Sequence, residues 1–412
     1  MIMRSTGKTL QVHYAWTVAA ICGLSVLCGL GFGRFAFGML LPSISQDLGL
    51  NYSQGGMLGF GNLTGYLASV LSVPFALARI GTRSTVTLGL LVMALSMFAM
   101  ATTHSFFWLT WFYFLTGLSS GAVVLPSMSV MAKWFAPSHR GLSSGLVMAG
   151  PGFGIILSGF AVPRLVPLGT MPAWQVGWLI FGGLTALVAL VAFLYIRNTP
   201  GETGLRPYGR AASQSGIVSQ PLARSAKFKL LVHLGVIFGI YGATYMLYVT
   251  FIVTSMVDSY GMSKAQAGVL WSWFGFLSIF SGLLFGALSD KIGRRAGMAV
   301  AFGVLALSFG LVGFGTSSFG LYLSVMLFGI SAWSIPVIMS ASAGDYFGAG
   351  GAAGALAALM LVFSAGQAVG PIIAGVLAEM LGDFSLSYAV SAAASVLAIG
   401  MVWAVRPPSV ID

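Results

Sequence analysis

Gly286-Ala287-Leu288-Ser289-Asp290-Lys291-Ile292-Gly293-Arg294-Arg295 is a short charged stretch between two long apolar runs, 263–288 and 296–314. About 20 apolar residues are enough to cross a bilayer as a helix. The stretch therefore reads as a loop joining two membrane spans, and its excess of Lys and Arg marks a cytoplasmic side. Its Gly residues let helices approach closely. Asp290 can sit near a helix amino terminus or pair with the basic side chains beside it.

Outward from this loop the pattern repeats along the chain. Apolar runs predict spans at 15–41, 53–78, 84–102, 106–133, 139–163 and 173–196, then 229–257, 263–288, 296–314, 318–342, 350–380 and 384–405. Composition agrees. Of 412 residues, 58% are hydrophobic and 7% charged, against about 25% charged in soluble proteins. So few charges cannot cover a water-facing surface, which excludes a soluble globular fold, a coiled coil and a disordered chain. The runs are continuous rather than alternating, which argues against a β-barrel. The net charge of +11 sits mostly in short loops, as a topology signal and not a nucleic-acid footprint. Cys22 and Cys28 fall six residues apart in the first run, where a disulfide is geometrically excluded.

Residues 197–228 hold Arg197, Arg206, Arg210, Arg224 and Lys227 with one acid, Glu202, among Pro, Gly and Ser. They read as a flexible or surface-lying cytoplasmic linker between 1–196 and 229–412. With a cytoplasmic amino terminus, sixteen of the 19 basic residues lie inside. Arg164 and Lys264 lie outside, and Arg34 lies within a span. Both termini are thus expected in the cytoplasm.

The two parts repeat. Tyr52-Ser53-Gln54-Gly55-Gly56-Met57-Leu58 matches Lys264-Ala265-Gln266-Ala267-Gly268-Val269-Leu270, 212 positions on, and the same offset pairs Arg79-Ile80-Gly81 with Lys291-Ile292-Gly293. Gly150, Gly154 and Gly159 recur with the spacing of Gly366, Gly370 and Gly375. One six-helix unit used twice explains this, with a site at the interface near the bilayer midplane.

The 286–295 loop matches Gly-x-x-x-Asp-Arg/Lys-x-Gly-Arg/Lys-Arg/Lys at every defining position, and on it the chain resembles the major facilitator superfamily. The resemblance implies an all-α membrane protein, twelve transmembrane helices in two pseudo-symmetric six-helix halves. It implies a transporter working by alternating access, and not an enzyme. The expected setting is a monomer in the bilayer of a bacterial inner membrane, without cofactor, metal or nucleic-acid partner. Gly286, Asp290, Lys291, Gly293, Arg294 and Arg295 would form a conformational latch. The first copy is degraded, since Pro74 and Ala78 stand where Gly and Asp are expected. Tyr113 holds the place that many proton-coupled members give to Arg, before Gly117 and Gly121. Trp16 with Arg34, and Lys133 through Gly154, resemble monocarboxylate and related organic-anion carriers. Gly31-Phe32-Gly33-Arg34-Phe35-Ala36-Phe37-Gly38 is similar to an uncharacterised bacterial branch. Gly150, Pro151 and Gly154 partly resemble an antiporter motif and read physically as a kinked, close-packed helix seam.

Arg34 is the leading site candidate. It lies roughly 10 Å deep at 1.5 Å per residue, where a cation costs about 2.5–3.5 kcal/mol or more. A substrate anion on its planar fork would offset that; snorkelling to the outer interface is the bland alternative. Tyr113 lies at similar depth. Tyr241, Tyr245 and Tyr248 share a helix face, and their hydroxyls need partners. Trp333 and Asn62 are further candidates, and Gln367 a weaker one. One intramembrane cation and no clear acid within a span point to a small organic monoanion, monocarboxylate-like, with an aromatic or apolar portion. A symported proton would ride on the substrate or on His233 or Asp47. An efflux carrier for hydrophobic compounds is the alternative reading. Gly-Leu-Ser-Ser-Gly at 117–121 and 141–145 lacks the strand-turn-helix setting of a hydrolase elbow.

Overall fold

Among the residues described by the computed structural model, 13–209, 224–315 and 317–405, eleven helices are long and apolar enough to cross a membrane. They are α1 (Tyr14–Leu48), α2 (Tyr52–Met100), α3 (Phe106–Trp134), α4 (Ser138–Arg164), α5 (Ala173–Tyr195), α6 (Lys227–Asp258), α7 (Lys264–Ile292), α8 (Arg294–Gly313), α9 (Ser318–Gly348), α10 (Gly354–Leu381) and α11 (Ser385–Ala404). Among the described residues every element is a helix. The second and third expected spans run together as α2, whose 49 residues are far too long for one crossing. That helix breaks at Gly81, with φ 74° and ψ 176°, a conformation essentially confined to glycine. The expected placement of both termini falls on residues 1–12 and 406–412, outside the described ones.

The sequence repeat has matching local structure. Asn51 caps α2 by accepting the Gln54 backbone N–H while the Gln54 side chain accepts the Asn51 N–H. Ser263 and Gln266 form the same reciprocal box at α7. Gly293, the partner of Gly81, also has positive φ, 89°. The glycine triads make equivalent contacts. Gly150 and Gly154 lie against α1, where a Cβ on Gly31 would come 2.6 Å from the Gly154 Cα, and Gly159 lies against Gly268 of α7. In turn Gly366 and Gly370 lie against Gly239 and Ala243 of α6, and Gly375 lies against Tyr52 of α2. Small residues bring backbones this close because lipid supplies no hydrophobic drive between helices.

The two parts of the chain, 13–198 and 227–404, meet at one end. There the Tyr52 N–H donates to Glu379 Oε2 (3.1 Å), the Tyr52 hydroxyl to Asp258 Oδ2 (3.4 Å), and Lys264 Nζ to Ser43 Oγ (3.0 Å). Deeper in, Trp271 Nε1 donates to Ser158 Oγ (3.1 Å). At the other end, among the described residues, no hydrogen bond or ion pair joins the two parts. Gly141, Gly145, Gly344 and Gly354 there face open space. The first stretch of the linker lies on the surface at this open end. The Tyr208 N–H donates to the Trp134 carbonyl (2.8 Å), the Ala136 N–H donates to the Tyr208 carbonyl (2.9 Å), and the Tyr208 ring packs on His13, Trp16, Phe135 and His139. Residues 210–223 of the linker are outside the described ones.

Candidate functional site

The middle of α1 is not α-helical. Leu27–Phe35, the glycine-rich Leu-Cys-Gly-Leu-Gly-Phe-Gly-Arg-Phe, winds as a π-helix between two α-helical arms. Wider turns of this kind leave carbonyls short of partners and concentrate at functional positions. Side chains from neighbouring helices supply the missing donors. Ser120 Oγ donates to the Gly29 carbonyl (2.6 Å), Asn62 Nδ2 to the Gly33 carbonyl (3.2 Å), and the Tyr113 hydroxyl to the Arg34 carbonyl (3.3 Å). Asn62 Nδ2 also reaches the Tyr113 carbonyl (3.1 Å). The backbone that carries Arg34 is thus held from both α2 and α3.

The Arg34 side chain is buried, 5% exposed. Its guanidinium lies over the Tyr66 ring, 4.3 Å from the centroid. A desolvated cation–π contact of about 2 kcal/mol recovers part of an insertion cost of about 2.5–3.5 kcal/mol. Arg34 Nε and Nη2 are buried without a hydrogen-bond partner. These two donors form one edge of the guanidinium, the edge that takes a planar oxyanion in two parallel bonds. Among the described residues no carboxylate pairs with Arg34, and both ion pairs belong to Arg294. The Tyr245 hydroxyl is likewise buried and unpartnered, and Tyr66, Tyr113 and Tyr245 all lie within electrostatic reach of Arg34.

The other expected site residues divide into those near this group and those used elsewhere. Trp333 packs on Phe35 (5.9 Å between centroids) and Tyr245 (5.8 Å), bringing α9 to α1 and α6. Tyr113 and Asn62 meet the Arg34 segment through its backbone, as supports. The Tyr241 and Tyr248 hydroxyls both find partners within 227–404. Pro336 has no N–H for the Ala332 carbonyl one turn earlier, and the Tyr241 hydroxyl donates to that carbonyl instead. The Tyr248 hydroxyl bonds Ser324 Oγ (2.8 Å) within a cluster containing Phe309, Phe328 and Tyr388. Gln367 is buried on α10 with Oε1 unpartnered. Tyr66 was not singled out from sequence. It lies one turn after Asn62 on α2, and that i, i+4 relation is the signal that points to it.

The charged loop forms a network within 286–403. Arg294 Nη1 bonds Asp290 Oδ1 (2.5 Å) and Ser289 Oγ (2.9 Å), and Arg294 Nε bonds Asp345 Oδ2 (2.7 Å). Arg295 Nη2 donates to the Trp403 carbonyl (2.7 Å). Gly286 lies against Val337, Gly293 provides the turn, and Lys291 is exposed. The network ties α7, α8, α9 and α11 together, and Asp345 is a member that the motif does not reveal. In the degraded first copy, among the described residues, the Arg83 side chain meets no acid: its Nε donates to the Phe193 carbonyl (2.7 Å), and Asn198 Oδ1 accepts the Arg83 backbone N–H (3.0 Å). Of the suggested proton carriers, His233 Nε2 bonds the Met401 carbonyl (2.8 Å) and Asp47 accepts from the Trp174 indole (3.0 Å). Pro151 and the flanking glycines seat α4 between α1 and α7, since Gly152 meets Gly275 and Ile279 of α7.

A family described as "Uncharacterised MFS-type transporter YbfB" matches residues 26–403. Among curated relatives, an "Uncharacterized MFS-type transporter MT3072" of Mycobacterium tuberculosis is 25% identical over 62% of this chain and 55% of its own length. The chain thus spans a little over half of that relative. A hexuronate transporter of Bacillus subtilis is 23% identical over 64% of this chain and 61% of its own. A 4-hydroxybenzoate transporter, PcaK, of Acinetobacter baylyi is 26% identical over 44% and 39%. Of solved structures, a bacterial homologue of the human lysosomal transporter Spinster superposes with TM-score 0.71 at 14% identity, covering 95% of each chain. The nucleoside transporter NupG superposes with TM-score 0.74 at 13% identity, covering 95% of this chain and all of that one. At such identities the structures speak for the fold alone, and the fold is that of these transporters. With a family match along nearly its whole apolar length, the chain belongs to the YbfB-type family of major facilitator superfamily transporters.

Proposed function

We propose that the chain carries a small organic monoanion, of the monocarboxylate kind, across the bacterial inner membrane by alternating access. Counting α2 as two spans joined at Gly81 gives twelve, arranged as six-helix halves at 1–196 and 229–412 with the linker 197–228 between them. The halves rock about Arg34, as a monomer with both termini cytoplasmic. In that orientation the end sealed by Tyr52, Lys264 and Glu379 faces outward, and the conformation is inward-facing. The observation that carries the reading is the buried, unpartnered Nε–Nη2 edge of Arg34. A carboxylate accepts both donors, and Tyr245 donates to the same group. The apolar part of the substrate rests against Tyr66 and Trp333. Two relatives support the class, since hexuronate and 4-hydroxybenzoate each carry one carboxylate. A proton, where one accompanies the anion, rides on the substrate's own carboxyl group. Asp290 and its partners act as a latch at the cytoplasmic end, and Gly150, Pro151 and Gly154 as a seam about which α4 moves.

The test is a thermal-shift screen of purified protein with paired compounds, each acid beside its neutral amide. Benzoate, 4-hydroxybenzoate, glucuronate and lactate span the aromatic and polar range. Stabilisation by at least one acid and not by its amide is the expected result. Equal stabilisation by acid and amide, or by neutral hydrophobic compounds alone, would move the assignment to a carrier of hydrophobic compounds.

A further inference from the structure

A groove of about 570 Å³ opens between α4 and α7 near the sealed end. Phe160 of α4 and Val269, Trp273 and Phe276 of α7 wall it, and all four are well exposed on the membrane-facing side. Gly159 lines its floor, where α4 packs directly on Gly268 and Ser272 of α7. The groove runs from Arg164 down to Ile156. Eight residues at 1.5 Å per residue make about 12 Å, most of the depth of one hydrocarbon leaflet. At its mouth stands Arg164, exposed, its guanidinium 3.8 Å over the Phe160 ring and its Nη1 donating to the Phe160 carbonyl (2.6 Å). Those contacts fix the cation in place and leave its remaining donors for another group. No carboxylate pairs with Arg164 among the described residues.

A fixed cation above an apolar slot of leaflet depth fits an amphiphile with an anionic head. We propose that this groove binds one anionic phospholipid, its phosphate on Arg164 and an acyl chain lying over Gly159 between α4 and α7. The choice of an anionic over a zwitterionic lipid follows from charge. The cationic end of a choline head would meet Arg164, and among the described residues that line the groove none is acidic. Basic pockets between membrane helices bind acidic head groups on this principle. The groove's walls come from the two parts of the chain that meet at this end, so a lipid seated here favours the sealed conformation over one in which α4 and α7 part. The proposal does not depend on what Arg34 binds.

Native mass spectrometry of the purified chain with phosphatidylglycerol and phosphatidylcholine in equal amounts tests it. Wild type is expected to hold one more phosphatidylglycerol than Arg164→Ala, whose occupancy of that site falls about fivefold, equivalent to ~1 kcal/mol per cation. Arg164→Lys is expected to retain it. Arg140→Ala, a cation removed from the opposite end, is expected to leave this difference unchanged. Ala265 is exposed and lines the groove, so Ala265→Trp fills the slot with Arg164 intact and is expected to lose the same lipid. Glycerol 1-phosphate, a head without chains, is expected not to be retained. Equal phosphatidylglycerol stoichiometry in wild type, Arg164→Ala and Ala265→Trp would overturn the proposal, as would retention of glycerol 1-phosphate in place of the lipid.

Discussion

Tyr241 and Tyr245 lie one turn apart on α6, yet their hydroxyls have opposite surroundings. Tyr241 completes a helix that Pro336 interrupts. The Tyr245 hydroxyl has no hydrogen-bond partner, and its ring packs on Trp333, which also meets Phe35 beside Arg34. Removing each oxygen should therefore separate stability from binding. Tyr241→Phe leaves the buried Ala332 carbonyl without a donor, a cost of about 1–3 kcal/mol. A lower unfolding temperature with unchanged acid affinity is expected. Tyr245→Phe is expected to keep wild-type thermal stability and to weaken acid binding severalfold. Thermal unfolding with and without ligand measures both, and the reverse pattern would move Tyr245 out of the site. The periodicity of the three tyrosines was legible in the sequence. Which hydroxyl meets a ligand was not, because that depends on which neighbouring helix presents an unsatisfied carbonyl. Tyr66 escaped for a related reason. An aromatic one turn from Asn62 matters only once α1 has placed a guanidinium over it.

At the scale of elements, the turns were the most legible feature and the π segment the least. Arg79-Ile80-Gly81 and Lys291-Ile292-Gly293 match in sequence, and both glycines take a positive φ. The turn at Gly81 is so tight that α2 runs on either side of it without a loop, so apolar runs alone placed a gap where the chain has one residue. Gly81→Ala and Gly293→Ala should each cost about 1–3 kcal/mol from backbone strain. Gly303→Ala, in the interior of α8 with open space around it, should be neutral or stabilising. Comparing the three unfolding temperatures checks this, and equal effects would remove the strain argument. The π-helix was not legible. Glycines at 29, 31 and 33 also suit close packing, and the wide turn depends on donors from Ser120, Asn62 and Tyr113 that only tertiary contact supplies.

Across the molecule, among the described residues, hydrogen bonds between the two parts lie on one side. Tyr52, Lys264 and the glycine contacts join the two parts at one end, while Arg294 gathers Asp290 and Asp345 within one part at the other. A network of that kind affects the cost of moving between conformations more than the site itself. Asp290→Asn and Asp345→Asn are each expected to slow exchange while leaving acid affinity within about twofold of wild type. Equal losses of rate and affinity would place the network in the site. The proposal that an organic monoanion is carried on Arg34 is tested most directly by counterflow. Proteoliposomes preloaded with an unlabelled acid found in the thermal-shift screen should take up the labelled acid saturably, with no pH gradient imposed. Arg34→Lys, a point charge without the planar fork, should exchange with a raised half-saturation concentration, and folded Arg34→Ala should not exchange at all. Wild-type counterflow by Arg34→Ala would show that the anion is held somewhere else.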